Sequence, residues 1–107
     1  MENSTAVRAF LALGQETRLN IFRLIVQKGT EGLYPSQIQE LLGIPAATLS
    51  FHLRELVSSG LLSVERQSRN LIYRANDKLT NQLLEFLVDN CCGGKSCAIN
   101  RKKIKSR

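Results

Sequence analysis

The sequence predicts a mainly α (α+β) domain, a winged helix-turn-helix of five helices plus a two-stranded β-hairpin wing. Three observations carry this. Apolar residues recur at Leu49, Leu53 and Leu56, the spacing of one buried helical face. Pro45 suits the first turn of that helix and Gly60 suits its stop. The stretch after it alternates around the polar centre Gln67-Ser68-Arg69-Asn70, as a short hairpin does. The link Gly43-Ile44-Pro45 back to a preceding short helix has the length a helix-turn-helix needs.

Taken in order, residues 4–13 read as a helix capped by Ser4 or Thr5, with Val7, Phe10 and Leu11 on its buried stripe and Gly14 at its end. A second helix is expected over residues 16–28. Leu19, Phe22, Leu24 or Ile25, and Val26 give it the thick apolar face of a central core helix. Gly29-Thr30-Glu31-Gly32 is a turn by composition. Pro35 or Ser36 then starts a short helix with Ile38, Leu41 and Leu42 facing inward, and Gly43 stops it. The hairpin strands are expected near residues 62–66 and 71–74. Asp77 is expected to cap a last helix running to about Asn90, with Leu79, Leu83, Phe86 and Leu87 on one face and Leu84 beside it. The domain is expected to span residues 1–90, followed by a cysteine-containing loop and basic tail over 91–107.

Length and charge bound the function. A chain of 107 residues is one domain, and one this small is marginal alone, so oligomerisation is expected. No stretch approaches the roughly 20 apolar residues needed to span a bilayer, so no membrane partner is expected. The start Met1-Glu2-Asn3-Ser4-Thr5 lacks a basic, then apolar, leader, which points to a cytoplasmic protein with reduced thiols. Of the formal charge of +6, five units sit at Arg101, Lys102, Lys103, Lys105 and Arg107. The remainder is almost neutral, so affinity for DNA must come from local basic placement.

A recognition helix presents its N-terminal outward residues to base edges in the major groove. With Leu49, Leu53 and Leu56 buried, the outward set is Ala46, Ala47, Thr48, Ser50, Phe51 and Arg54. Thr48 and Ser50 can bond phosphate or a base edge, Phe51 and the alanines can touch thymine methyls, and Arg54 can reach phosphate or guanine. Arg66 and Arg69 of the hairpin would lie along the backbone or minor groove. The expected partner is double-stranded DNA. His52, the only histidine, reads as a partly buried residue bonding neighbouring backbone, or as a phosphate contact, rather than as a metal ligand.

The stretch Thr48-Leu49-Ser50-Phe51-His52-Leu53-Arg54-Glu55-Leu56, followed by Ser59-Gly60-Leu61-Leu62, resembles the S-x-H-L-x-x-L…G-L-[VIL] signature of the ArsR family of metal-sensing repressors. Residues Leu13-Gly14-Gln15-Glu16-Thr17-Arg18-Leu19-Asn20-Ile21-Phe22 are similar to that family's A-L-[SG]-x-x-x-R-L-x-I-[LF] opening. The resemblance runs from about Val7 to Asn90. It implies a winged-helix homodimer, paired through its first and last helices, that represses transcription from a pseudo-palindromic operator until an inducer binds. Phe51 departs from the family, which often carries a polar or basic residue there. Tyr34-Pro35-Ser36-Gln37-Ile38 lacks the Cys-x-Cys pair that many members carry before the recognition helix. The last helix offers only Asp77, Glu85 and Asp89, not the histidine-containing set of zinc-sensing members.

The candidate metal ligands are Cys91, Cys92 and Cys97. Three soft thiolates within seven residues suit a thiophilic ion, and Gly93-Gly94 lets the chain turn back to gather them. Structural zinc wants four tetrahedral ligands. Trivalent arsenic or antimony has a lone pair and takes three sulfurs in a pyramid, so ligand count favours As(III), with Sb(III) as a second inducer. The trio is also similar to the C-terminal Cys-Cys-x(n)-Cys set of arsenite-sensing ArsR members. The alternatives are an incidental trio, a redox switch through a Cys92–Cys97 bond, and a loose site for Zn(II), Cd(II) or other metals. No permanent cofactor is expected. An enzyme is not expected either, because the cysteines lack a phosphate-cradling loop and a nearby general base.

Overall fold

A computed structural model of the chain describes residues 1–94. The element order is α1 (Asn3–Leu13), α2 (Glu16–Lys28), α3 (Pro35–Leu42), α4 (Ala46–Ser58), β1 (Leu62–Gln67), β2 (Asn70–Ala75) and α5 (Asp77–Val88), with short 3-10 turns at Gly29–Glu31 and Cys91–Gly94. The winged helix-turn-helix expected from the sequence is the one observed. Each of the five helices begins within a residue of its expected start, and only α5 stops short, ending at Val88.

Local chemistry explains the boundaries. The Gln15 side chain accepts from the Arg18 N–H at 2.8 Å and caps α2. Glu16 in the first turn and Lys28 in the last complement the helix dipole. Pro35 occupies the first turn of α3, where its missing N–H is no loss, while Gln37 Oε1 accepts from the Tyr34 N–H at 2.8 Å. Gly43 ends α3 in the left-handed conformation, φ 66°, and only Ile44 and Pro45 separate it from α4.

The hairpin is antiparallel with Leu62 opposite Ala75 and Gln67 opposite Asn70, so its tip is the two-residue Ser68-Arg69. Both strands run one residue further into a tighter tip, and β2 also ends one residue later than expected, at Ala75. Leu33 bridges Tyr73 on the outer side of β2, through Leu33 N–H to Tyr73 O at 3.0 Å and Tyr73 N–H to Leu33 O at 2.9 Å. Gly32 makes that approach possible. It sits at φ 68°, and a Cβ there would lie 2.7 Å from the Tyr73 carbonyl oxygen.

One core joins the elements. It holds Ala6, Ala9 and Ala12 of α1, Ile21, Phe22 and Ile25 of α2, Ile38, then Leu49, Leu53 and Leu56 of α4, with Leu33, Leu61, Leu62 and Leu83. Burying a leucine or isoleucine in such a cluster stabilises the fold by roughly 1.5–3 kcal/mol. The three α4 leucines and Ile38 lie inside as expected.

Four expectations are corrected. In α1 the alanines are buried, whereas Val7, Phe10 and Leu11 are exposed, Leu11 to 69%. Small side chains let α1 approach α2 and α4 closely, which the larger stripe would prevent. The N-cap of α1 is Glu2, without a side-chain bond, rather than Ser4 or Thr5. The cap of α5 is Asn76, whose side chain accepts from the Leu79 N–H at 3.2 Å, and Asp77 is the first helical residue. Leu19, Val26, Leu41 and Leu87 are likewise exposed rather than buried. No helix among the described residues is long and apolar enough to cross a membrane.

Candidate nucleic-acid interface

Helix α4 is two-faced. Its inner face is Leu49, His52, Leu53 and Leu56, at most 8% exposed. Its outer face presents Ala46, Ala47, Thr48, Ser50, Phe51 and Arg54, all exposed, with Phe51 at 49%. The first turn carries only small or hydroxyl side chains beyond Pro45. A bulky duplex edge can therefore approach the backbone there, while Arg54 lies one turn further on.

The hairpin projects beside this face. From Ser63 to Asn70 every residue is exposed, Arg66 and Arg69 among them. Its base is braced by Arg74, whose Nε donates to Thr30 O at 2.7 Å and whose Nη1 pairs with Glu65. This pairing occupies Arg74 and leaves Arg66 and Arg69 as the cations of the outer hairpin. A groove of about 390 Å³, lined by Ser50, Arg54, Val57, Ser58, Val64 and Tyr73, separates α4 from the hairpin. Of the expected DNA contacts, Ala46, Ala47, Thr48, Ser50, Phe51, Arg54, Arg66 and Arg69 are all exposed, and the groove sets Ser50 and Arg54 against Val64 and Tyr73 of the hairpin.

His52 does not join them. It is 8% exposed and points inward, where its Nδ1 lies 3.3 Å from Arg18 Nη1. A guanidinium only donates, so Nδ1 is the acceptor and the ring is the neutral tautomer protonated at Nε2. Burial, then the positive charge of Arg18, hold its pKa below the ordinary 6.5, while Glu55 acts in the opposite sense. The expectation of a phosphate contact through His52 is therefore corrected: its 3.6-residue phase places it beside Leu49 and Leu53, on the inner face.

Two residues that organise this surface escaped the sequence reading. Arg18 also donates from Nε to Ala12 O at 2.7 Å, and its guanidinium carbon lies 6.0 Å from the Phe51 ring centroid. Asn76 donates from Nδ2 to Gly60 O at 2.9 Å, just past α4, while its side-chain oxygen caps α5. Both act across 16 or more residues, and each is an ordinary polar residue in sequence.

The cysteine cluster follows α5. Asn90, Cys92 and Gly93 have left-handed backbones, φ 56°, 55° and 63°, so the chain turns sharply there. Cys92 is exposed. Cys97, the third candidate ligand, lies outside the described residues, as does the basic tail.

Residues 13–65 match the family model described as a helix-turn-helix domain. No curated protein matches the chain by sequence. Among solved structures, an ArsR-like transcriptional regulator from Rhodococcus sp. RHA1 is 25% identical with a TM-score of 0.70, the match covering 78% of this chain and 76% of that one. The transcriptional repressor BigR from Xylella fastidiosa is 25% identical with a TM-score of 0.60, covering 80% and 85%. A homodimeric winged helix-turn-helix DNA-binding domain from Mycobacterium bovis, a possible ArsR-family regulator, is 22% identical with a TM-score of 0.66, covering 90% and 89%. Residues 13–65 are thus similar to a helix-turn-helix domain, and the chain has the winged-helix fold that these regulators share.

Proposed function

We propose that this protein is a cytoplasmic, homodimeric DNA-binding repressor of an arsenic-resistance operon, released from its operator when As(III) or Sb(III) binds the thiolates of Cys91, Cys92 and Cys97. The observation that carries the DNA-binding part is the split of α4: its leucines are in the core, while Ala47, Thr48, Ser50, Phe51 and Arg54 are exposed, as are Arg66 and Arg69 of the hairpin. A helix with such a face is what major-groove reading requires. Pairing is supported by the outward apolar residues Val7, Phe10 and Leu11 of α1 and Leu84 and Leu87 of α5. A two-fold pair would set its recognition helices about 34 Å apart, one turn of duplex, and so fit a pseudo-palindrome.

The inducer part rests on ligand chemistry. Three thiolates close to the end of α5 match the three-coordinate pyramid of As(III) better than the tetrahedron of zinc. Asn90, Cys92 and Gly93 take left-handed backbones, so the chain turns sharply where two of the three thiols stand in sequence. Gathering these sulfurs would pull on the end of α5, and a shift in pairing would carry the two recognition helices off operator spacing. Coupling of this kind is typically about 1–3 kcal/mol.

The test is a titration of labelled duplex, selected by the protein from a random-sequence pool, with and without As(III), Zn(II) and peroxide. Release by As(III) alone, and loss of release without loss of binding in Cys91→Ser, Cys92→Ser and Cys97→Ser, is the expected result. Release by peroxide or Zn(II) instead would favour a thiol-redox or Zn/Cd-responsive repressor. A variant that still leaves DNA on adding arsenite would overturn the ligand assignment.

A further inference from the structure

We infer that Arg18 is a positioning residue for the DNA-reading surface, joining the end of α1 to the recognition helix through His52 and Phe51; the inference rests on reading α4 as the DNA-contacting helix. The geometry is a three-way strut. From α2, Arg18 donates Nε–H to the Ala12 carbonyl, 2.7 Å away near the end of α1. Its Nη1 donates to His52 Nδ1 at 3.3 Å on the inner face of α4. The same guanidinium stands 6.0 Å from the Phe51 ring, which also meets His52 edge-on, with centroids 5.4 Å apart and planes at 62°.

Phe51 is therefore held from behind by a cation and an imidazole while about half of it faces outward. An aromatic side chain that touches thymine methyls must keep its ring in one plane, and these two neighbours fix that plane. A second tie runs parallel, from Arg8 Nη2 of α1 to Ser58 O at the end of α4, 2.9 Å. Helix α1, which carries the outward apolar stripe, is thus tied to the end of the recognition helix directly through Arg8 and to its middle indirectly through Arg18 of α2. Any shift of α1 against a second copy would reach Phe51 through Arg18.

Arg18 is partly buried and its Nε and Nη1 are committed to Ala12 and His52, so this role differs from a phosphate contact. The difference is measurable. A lysine at this position keeps the charge but has no planar fork to bond Ala12 and His52 together. A glutamine at position 52 keeps an acceptor for Arg18 but does not titrate, whereas a leucine removes the acceptor. Because the bond needs a neutral ring, acidification breaks it. The charged groups acting on that ring are Arg18 from α2 and Glu55 from α4 itself.

The experiment compares the full-length protein with Arg18→Lys, Arg18→Gln, His52→Gln and His52→Leu. It measures affinity for the selected duplex and for an unrelated duplex of equal length, across salt and pH, with cooperative melting checked for each variant. Expected for both Arg18 variants and His52→Leu is a loss of about tenfold in the ratio of the two affinities. Their dependence of log affinity on log salt should be unchanged. His52→Gln should keep the wild-type ratio, and keep it at acidic pH where wild type loses it. A salt slope lowered by about one in Arg18→Gln, with the ratio intact, would make Arg18 a phosphate contact and overturn the inference. So would unchanged ratios throughout. Should Arg18 variants fail to melt cooperatively, the contrast between His52→Gln and His52→Leu decides alone. Wild type binding no duplex would overturn the DNA reading and the inference together.

Discussion

Helices α4 and α1 are both amphipathic, yet they bury opposite kinds of side chain. In α4 Leu49, Leu53 and Leu56 are inside with His52, and the outer face is small or polar apart from Phe51. In α1 the alanines are inside, and Val7, Phe10 and Leu11 are outside. Helix α4 packs its leucines into the core shared with α2, α3 and the hairpin. Helix α1 packs alanines into that core, and small side chains allow a close approach between helices. The difference teaches that a large apolar stripe marks a surface to be covered, by the chain's own core in α4 and, on our reading, by a second copy in α1.

Substitutions can break this comparison. The largest effect is expected from Leu56→Ala, which empties a fully buried site and should cost about 2–5 kcal/mol, read as a drop in denaturant midpoint. Next comes Ala9→Leu on the buried face of α1. If α1 truly sits close, this conservative-looking enlargement should destabilise by about 1–3 kcal/mol through overpacking. A neutral or stabilising result would mean the contact is loose and the comparison false. Leu11→Glu should hardly change the stability of a monomer, since Leu11 is mostly exposed. In a two-fold pair it places two charges in one interface, so sedimentation should show weaker association by roughly thirtyfold or more, about 2 kcal/mol.

The smallest effect concerns pH. His52 binds its proton less readily in the folded chain than in the unfolded one, where its pKa is near 6.5. Between the two values the unfolded state holds more protons, so stability rises with pH there. The contribution is complete above about 6.5 and lost as pH falls below it. His52→Gln should flatten that part of the profile, measured by denaturant melts between neutral and mildly acidic pH.

How much of this was legible in the sequence follows from range. Helix α4 was readable because its leucine spacing, Pro45 and Gly60 are all local signals. The hairpin was readable for the same reason, and its tip only proved one residue tighter at each side. The face of α1 was not, since its sequence holds two possible stripes and the choice depends on α2 and α4. Nor was the cap of α5: Asn76 and Asp77 are both good caps, and the bond from Asn76 to Gly60 settles the matter. His52 reads in sequence as either partly buried or a phosphate contact, and its phase, which matches the buried leucines, decides for burial. Arg18 was quoted only as part of a motif, and its contacts to Ala12 and His52 cannot be anticipated from neighbours in sequence.

The central claim is that α4 and the hairpin together form the surface that meets duplex DNA. Amide chemical shifts of the full-length protein, followed as a selected duplex is titrated in at low salt, test it directly. Large changes concentrated at residues 46–54 and 66–69, with α3 and the core little moved, are predicted. No binding, or shifts confined to α1 and α5, would contradict it.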